Sequence, residues 1–381
     1  MTARWRPCAS ADCGILSAAP AERQGRPAPS LPDRAQEAAT MTRVAAIDCG
    51  TNTIRLLIAE AHRDDSGRPR LEVLRRRNEI VRLGQGVDCT GLLDPEALER
   101  TLAAVASYAA DCAELGVAPG GDVRRFVATS ATRDARNRED FVAGVRRLLG
   151  IDPEVVSGQE EARLSFTGSL LGAGEEEGTP EPGECEPAPR LVVDLGGGST
   201  ELVLGVDEPS AAISLDTGSV RITERFLAAG VTPEAEAAAR AEVRGLLDEA
   251  ERVVDLSAPG RLVGLAGTIT TVTAHALNLQ AFDPQALNGA ELSPQAVLAS
   301  CEAIIHSTPE QRASWGYLAP GRRDVIAAGA LVWSEVVTRV VERTVAAGRP
   351  LARVTTSLYD ILDGIALSLV PESGPAEGTP A

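Results

Sequence analysis

Two short polar stretches follow apolar runs in this sequence, and both have the make-up of an anion cradle. Residues 194–201 read DLGGGSTE directly after Leu191, Val192 and Val193. Gly196, Gly197 and Gly198 remove every Cβ from one side of the turn, so backbone N–H groups can surround a phosphate, and Ser199 and Thr200 add hydroxyl donors. Asp194 ends one strand and Glu201 begins the next. Acids flanking such a cradle are the hard oxygen ligands that Mg²⁺ or Mn²⁺ takes. Residues 48–53 read DCGTNT after the apolar 44–47, so Asp48, Gly50, Thr51, Asn52 and Thr53 form a second turn of small polar residues. A third, weaker signal is VGLAGTITTVTA at 263–274, with Gly264, Gly267 and Thr268 at the end of another apolar run. Either of the first two stretches alone also fits a glycine-rich hairpin with solvated acids. The pair fits two cradles facing each other across a cleft, with Asp48, Asp194 and Glu201 as candidate metal ligands.

The elements that must position these turns alternate between strand and helix. Apolar periodicity and turn residues predict strands at 43–48, 54–61 and around 71–74, then a helix at 95–115. A strand at 125–128, a helix at 139–149, a short strand near Val155 and a helix at 160–170 follow. Residues 172–189 have the Glu, Gly and Pro content of a flexible acidic loop. Beyond it the strand–glycine turn–strand design returns, which points to an internal duplication. Helices are expected at 233–254, 294–306, 322–346 and 359–369. This is an α/β order, long enough for two domains.

Composition removes several chemistries. The formal charge is -17, which opposes bulk binding to nucleic acid or an anionic membrane. All 37 basic residues are arginine, so the lysine of a P-loop, of a protein kinase or of a pyridoxal Schiff base is missing. Seven cysteines contain no CxxC pair, and the three histidines, His62, His275 and His306, stand far apart. A zinc ribbon, a disulfide framework and a histidine-rich metal site are therefore not signalled. No apolar run reaches the ~18 residues of a membrane span, and a cytoplasmic protein is expected.

Further motifs narrow the reading. Three glycine turns in this order resemble the actin, heat-shock chaperone and sugar kinase superfamily. ATSATRDARN at 128–137 and SGQEEARLSF at 157–166, standing between the first two turns, resemble the exopolyphosphatase and guanosine pentaphosphate phosphohydrolase family over about residues 43–370. The resemblance implies two ribonuclease-H-like, actin-like domains flanking an interdomain cleft, at 41–165 and 166–371, with the C-terminal helix packing back on the first. It implies hydrolysis of a terminal phosphoanhydride, with Glu161 as the catalytic carboxylate, Arg133 as a phosphate-binding arginine and a divalent cation. Near the C terminus TTSLYDILDG stands where relatives carry a serine, an acid and often a histidine ahead of DILDG. The chain resembles the short, two-domain form.

The substrate expected is inorganic polyphosphate, with guanosine pentaphosphate as the alternative and a non-catalytic polyphosphate or alarmone sensor as a reading of another class. A homodimer is a possible assembly. Arginines clustered in the first half, Arg75, Arg76 and Arg77 among them, form either a track for a phosphate chain or solvated faces. Residues 1–40 and 372–381 are expected to be disordered tails.

Overall fold

In a computed structural model the described residues are 41–172 and 188–371. The tails expected at 1–40 and 372–381, and most of the acidic loop, lie outside them.

The first sheet is built from β1 (Thr42–Cys49), β2 (Thr53–Arg63), β3 (Pro69–Ile80), β4 (Arg124–Ala128) and β5 (Glu154–Val155), in the order β3-β2-β1-β4-β5. The second contains β6 (Arg190–Leu195), β7 (Thr200–Gly205), β8 (Pro209–Leu215), β9 (Arg261–Leu265), β10 (Glu291–Leu292) and β11 (Val354–Thr356), in the order β10-β11-β9-β6-β7-β8. In each sheet the first three strands form an antiparallel meander and two later strands run parallel to the first, β4 and β5 in one and β9 and β11 in the other, where the short β10 adds an antiparallel edge. The duplication expected from sequence is thus a duplication of topology. Helices Pro95–Glu114 and Pro233–Ala250 fill the same place after the two meanders. Each begins with proline at N1 and a side-chain cap: Asp94 accepts from Ala97 N at 3.0 Å, and Thr232 from Ala235 N at 3.2 Å. Loss of either cap costs about 1 kcal/mol.

β1 and β6 are central strands covered on both faces. That is why 44–47 and 191–193 read as continuous apolar runs rather than alternating ones. β3 is an edge strand and extends well beyond the expected 71–74. Its arginines lie on alternate faces of the pleat, and charge along an edge discourages pairing with another chain.

The helices that follow β5 and β11 each cross to the other sheet. Ala162 and Phe166 of helix Gly158–Ser169 pack on Val192, Val203 and Val263 of the second sheet. Leu362, Ile365 and Ala366 of helix Ile361–Leu367 pack on Ala46, Leu57 and Val127 of the first. The expected boundary at 165/166 falls inside the first of these helices. The two helices also touch each other, so the halves are joined by a reciprocal exchange. Among the described residues no helix is long and apolar enough to cross a membrane.

Candidate active site

The turns β1–β2 and β6–β7 face each other across a cleft of about 100 Å³. Asp48, Gly50, Thr51, Asn52, Thr53, Glu161, Asp194, Gly196, Gly197, Ser199, Glu201, Gly267 and Thr268 all line it. Gly198 does not. It sits where the turns meet, and a Cβ there would lie 2.6 Å from Thr51 Oγ1 and 2.8 Å from Ser130 Oγ, so only glycine permits this approach. The third signal is no hairpin. Gly264 belongs to β9, and Gly267 and Thr268 form the first turn of helix Ala266–Ala276, whose N-terminus opens on the cleft. Ala266 takes a left-handed backbone there, φ 71°, a strained state for a non-glycine residue.

Both turns have their carbonyls held from behind. Thr51 O accepts from Gly84 N at 2.8 Å, and Asn52 O from Val81 N and Arg82 N, both at 3.0 Å. Gly196 O accepts from Ser219 N at 3.1 Å, and Gly197 O from Val220 N at 2.9 Å and Arg221 N at 3.1 Å. C=O and N–H point opposite ways in a planar trans peptide, so carbonyls drawn backwards aim the following N–H groups forwards. Among the described residues the N–H groups of Thr51, Asn52, Gly197, Gly198 and Ser199 have no acceptor. Grouped amides left unpaired around a cleft form an anion nest.

The acids differ between the halves. Asp48 is opposite Arg55 in the β1–β2 register, and Arg55 donates to it through Nε at 2.9 Å and Nη2 at 2.6 Å. The other arm of Arg55 reaches Asp360, which caps helix Ile361–Leu367. Asp194 is opposite Glu201 in the matching β6–β7 register, and among the described residues neither is hydrogen-bonded to a cation, although the charge of Arg55 reaches Asp194. Among the described residues Asp194 accepts from Ser165 Oγ at 2.6 Å, and Glu201 from Ser214 Oγ at 2.7 Å with the Ser199 side chain beside it. Burial, aided by the neighbouring charge of Asp360, pushes Asp194 up to about 6. Burial and the charges of Glu161 and Asp194 push Glu201 well above the usual carboxylate range. Mutually repelling, oxygen-only donors suit a hard divalent cation. Asp194 and Glu201 could therefore hold one; Asp48, the third candidate ligand, stands in an ion pair with Arg55.

Glu161 lies in the first turn of helix Gly158–Ser169, which Ser157 caps. Burial raises it to about 7 against the opposing charge of Arg133. Its neighbour Glu160 turns outwards to Arg163, at 2.9 Å. Arg133, expected to bind phosphate, does not line the cleft. Its Nη1 donates to Glu161 Oε2 at 3.2 Å and to Val156 O at 3.1 Å, making it the partner of the carboxylate. The arginines that do line the cleft are Arg55, already paired with Asp48 and Asp360, and Arg322, in the short turn Pro320–Arg322. The Arg322 guanidinium lies over Gly267, where a Cβ would fall 2.0 Å from Nη1. No acceptor for that guanidinium stands among the described residues, and burial together with the charge of Arg55 lowers it to about 10. Thr129, Ser130 and Ser219 also line the cleft. Thr129 and Ser130 fall inside the ATSATRDARN stretch and could have been singled out; Arg322, beside Arg323 and Asp324, carries no local signal.

Arg55, Gly267 and Arg322 also border a second, larger cavity of about 800 Å³, with Phe282, Tyr359, Asn78 and Gln285 on its walls. The expected arginine track is divided. Arg75 and Arg77 turn to Asp111, Arg75 also to Glu114 at 2.8 Å, while Arg76 points to the other face and meets Asp363. All three are matched by carboxylates.

Two topologically repeated lobes, facing amide nests and a carboxylate cluster define a phosphoryl-transfer enzyme of the actin-like class. The chain belongs to the Ppx/GppA phosphatase family, whose model matches residues 60–348. Exopolyphosphatase 2 of Mycobacterium tuberculosis is 44% identical over 335 residues, which cover 86% of this chain and 99% of that protein. The crystal structure of an exopolyphosphatase-like protein has a TM-score of 0.77 at 40% identity, covering 86% of this chain and 97% of that one. The Aquifex aeolicus member of the Ppx/GppA family has a TM-score of 0.64 at 28% identity, with 86% and 97% covered.

Proposed function

We propose that this enzyme is an exopolyphosphatase, removing terminal orthophosphate from inorganic polyphosphate. The observation that carries the reading is the pair of facing nests, whose unpaired amides and unpaired Arg322 lie opposite an acid already raised to about 7. The terminal phosphoryl group sits between Thr51 and Asn52 on one side and Gly197 and Ser199 on the other. Arg322 neutralises its charge. Glu161 takes a proton from water as the water oxygen bonds to phosphorus, and the bond to the bridging oxygen breaks, leaving a chain one phosphate shorter. Arg133 holds Glu161 in place. Asp194 and Glu201 would hold Mg²⁺ or Mn²⁺, which supplies charge neutralisation on the phosphate oxygens. A cytoplasmic setting agrees with the free thiols of Cys49, Cys89, Cys112 and Cys301.

The larger cavity supports a second substrate, guanosine pentaphosphate. An aromatic ring such as Phe282, 52% exposed, and the amides of Asn78 and Gln285 are what a purine stacks on and bonds to. Orthophosphate release from long polyphosphate, tripolyphosphate, guanosine pentaphosphate and ATP, compared with Mg²⁺ present, tests both. Polyphosphate is expected to give the highest kcat/KM. Phe282→Ala is expected to harm only the nucleotides. No release from any of the four would overturn the assignment.

A further inference from the structure

The segments that hold the two nests from behind each carry one arginine at the corresponding place. Arg82 and Arg221 are each the second of two consecutive N–H donors to a loop carbonyl, Asn52 O and Gly197 O respectively. Each then sends its guanidinium into the other half. Arg82 Nη2 reaches Asp324 Oδ1 at 2.9 Å and Gly321 O at 3.2 Å. Arg221 binds Asp88, and Asp134 Oδ2 at 2.8 Å, while its Nε stays on Gly198 O at 2.8 Å. Arg82 does so from a left-handed backbone, φ 54°, a state that favours glycine.

The groups so held lie one residue away from groups at the cleft or from the partner of one. Gly321 precedes Arg322. Gly198 O, drawn to Arg221, aims Ser199 N–H the opposite way, at the cleft. Asp134 follows Arg133, the partner of Glu161. Three donors of Arg221 thus fix three segments at once, with its side chain only 11% exposed.

We propose that Arg82 and Arg221 are a reciprocal pair of positioning residues that assemble the anion site only when the two halves are closed on each other. The proposal rests on the phosphohydrolase reading and adds to it a condition. With the halves apart, Arg322 loses its tether and the 198–199 peptide loses the interlobe ends of its anchor. Each nest is held within its own half, and the two are brought together with Arg322 on substrate-driven closure, a single two-state event sensed by both arginines. Substitution of either arginine moves the same equilibrium towards the open state.

Steady-state orthophosphate release from polyphosphate of defined length, measured on the full chain with Mg²⁺, tests this. Arg82→Ala and Arg221→Ala are each expected to raise KM about tenfold, with a smaller change in kcat. The double variant is expected to stay within about threefold of the worse single one, because one closure can be lost only once. Asp324→Ala and Asp134→Ala, which each remove one far end while sparing both turns, are expected to repeat the pattern in smaller measure and stand in should an arginine variant not fold. Multiplied effects in the double variant would overturn the coupling. Unchanged KM per folded molecule with a lowered Tm would reduce both arginines to structural ties. If the wild-type chain released no orthophosphate, the underlying reading would fail by itself. The pair would then be judged on tripolyphosphate binding by calorimetry, where the same non-multiplied losses are expected and multiplied ones refute it.

Discussion

Arg55 stands at the register position in the first half that Glu201 holds in the second, opposite Asp48 and Asp194 respectively. One substitution of sign between repeated halves polarises the cleft. The first half brings its acid with a cation attached, and the second brings two acids and none.

A cation dependence that varies with pH follows from that polarity. Unfolded carboxylates titrate near ~4. Asp194 is raised to about 6, Glu161 to about 7, and Glu201 well above the usual carboxylate range. Between the unfolded and folded values the folded chain binds more protons, so without metal its stability falls as pH rises through this window. A divalent cation relieves the repulsion. Calorimetry should therefore find Tm in chelator lower at pH 8 than at pH 5, and a larger gain from Mg²⁺ at pH 8. Asp194→Asn should shrink that gain, and an equal gain at both pH values would refute the assignment.

Glu161→Gln should leave folding and KM nearly unchanged while lowering turnover roughly 10²- to 10⁴-fold, the scale of a general base. The base works only when ionised. Wild-type kcat/KM should accordingly rise with pH through the region of 7 and the variant's residual rate should not. A loss below tenfold would make Glu161 a binding group instead.

Arg133→Gln distinguishes a partner of Glu161 from a phosphate ligand. Arg133 holds the Glu161 pKa down by charge and hydrogen bond. Its removal should shift the ascending limb of the pH profile to higher pH with little change in KM. A large rise in KM at an unshifted profile would restore the phosphate-binding role.

Arg322→Ala should raise KM for polyphosphate at least tenfold, since a charge-assisted bond to a phosphate is worth about 1.5–3 kcal/mol. Gly267→Ala should act alike, because its methyl occupies the place of the guanidinium. Kinetics of the two variants should match within a few fold. Normal KM in either would exclude Arg322 from the binding site.

Local chemistry made much of this protein readable. Apolar runs ending in DCGTNT and DLGGGSTE fix a strand, a tight turn and a return strand whatever surrounds them, because turn geometry and hairpin pairing are set by neighbours in sequence. The α/β order, the duplication and the meeting of the turns at one cleft followed from the same signals. Arginine roles did not. A guanidinium acts through whatever carboxylate lies within reach, and that is a matter of distant packing: Arg55 meets Asp360 from 305 residues away, Arg76 meets Asp363 from 287, and Arg82 meets Asp324 from 242. The sequence left Arg75, Arg76 and Arg77 as either a phosphate track or solvated faces, and the family resemblance implied phosphate binding by Arg133; in the tertiary structure each of the four stands beside a carboxylate. That structure left Arg322 facing the cleft without one. Composition and turns determined that an anion would be bound between two loops. Only the closing of one half on the other decided which charges were free to meet it, since a charge buried beside its opposite is no longer available, and one buried alone must be.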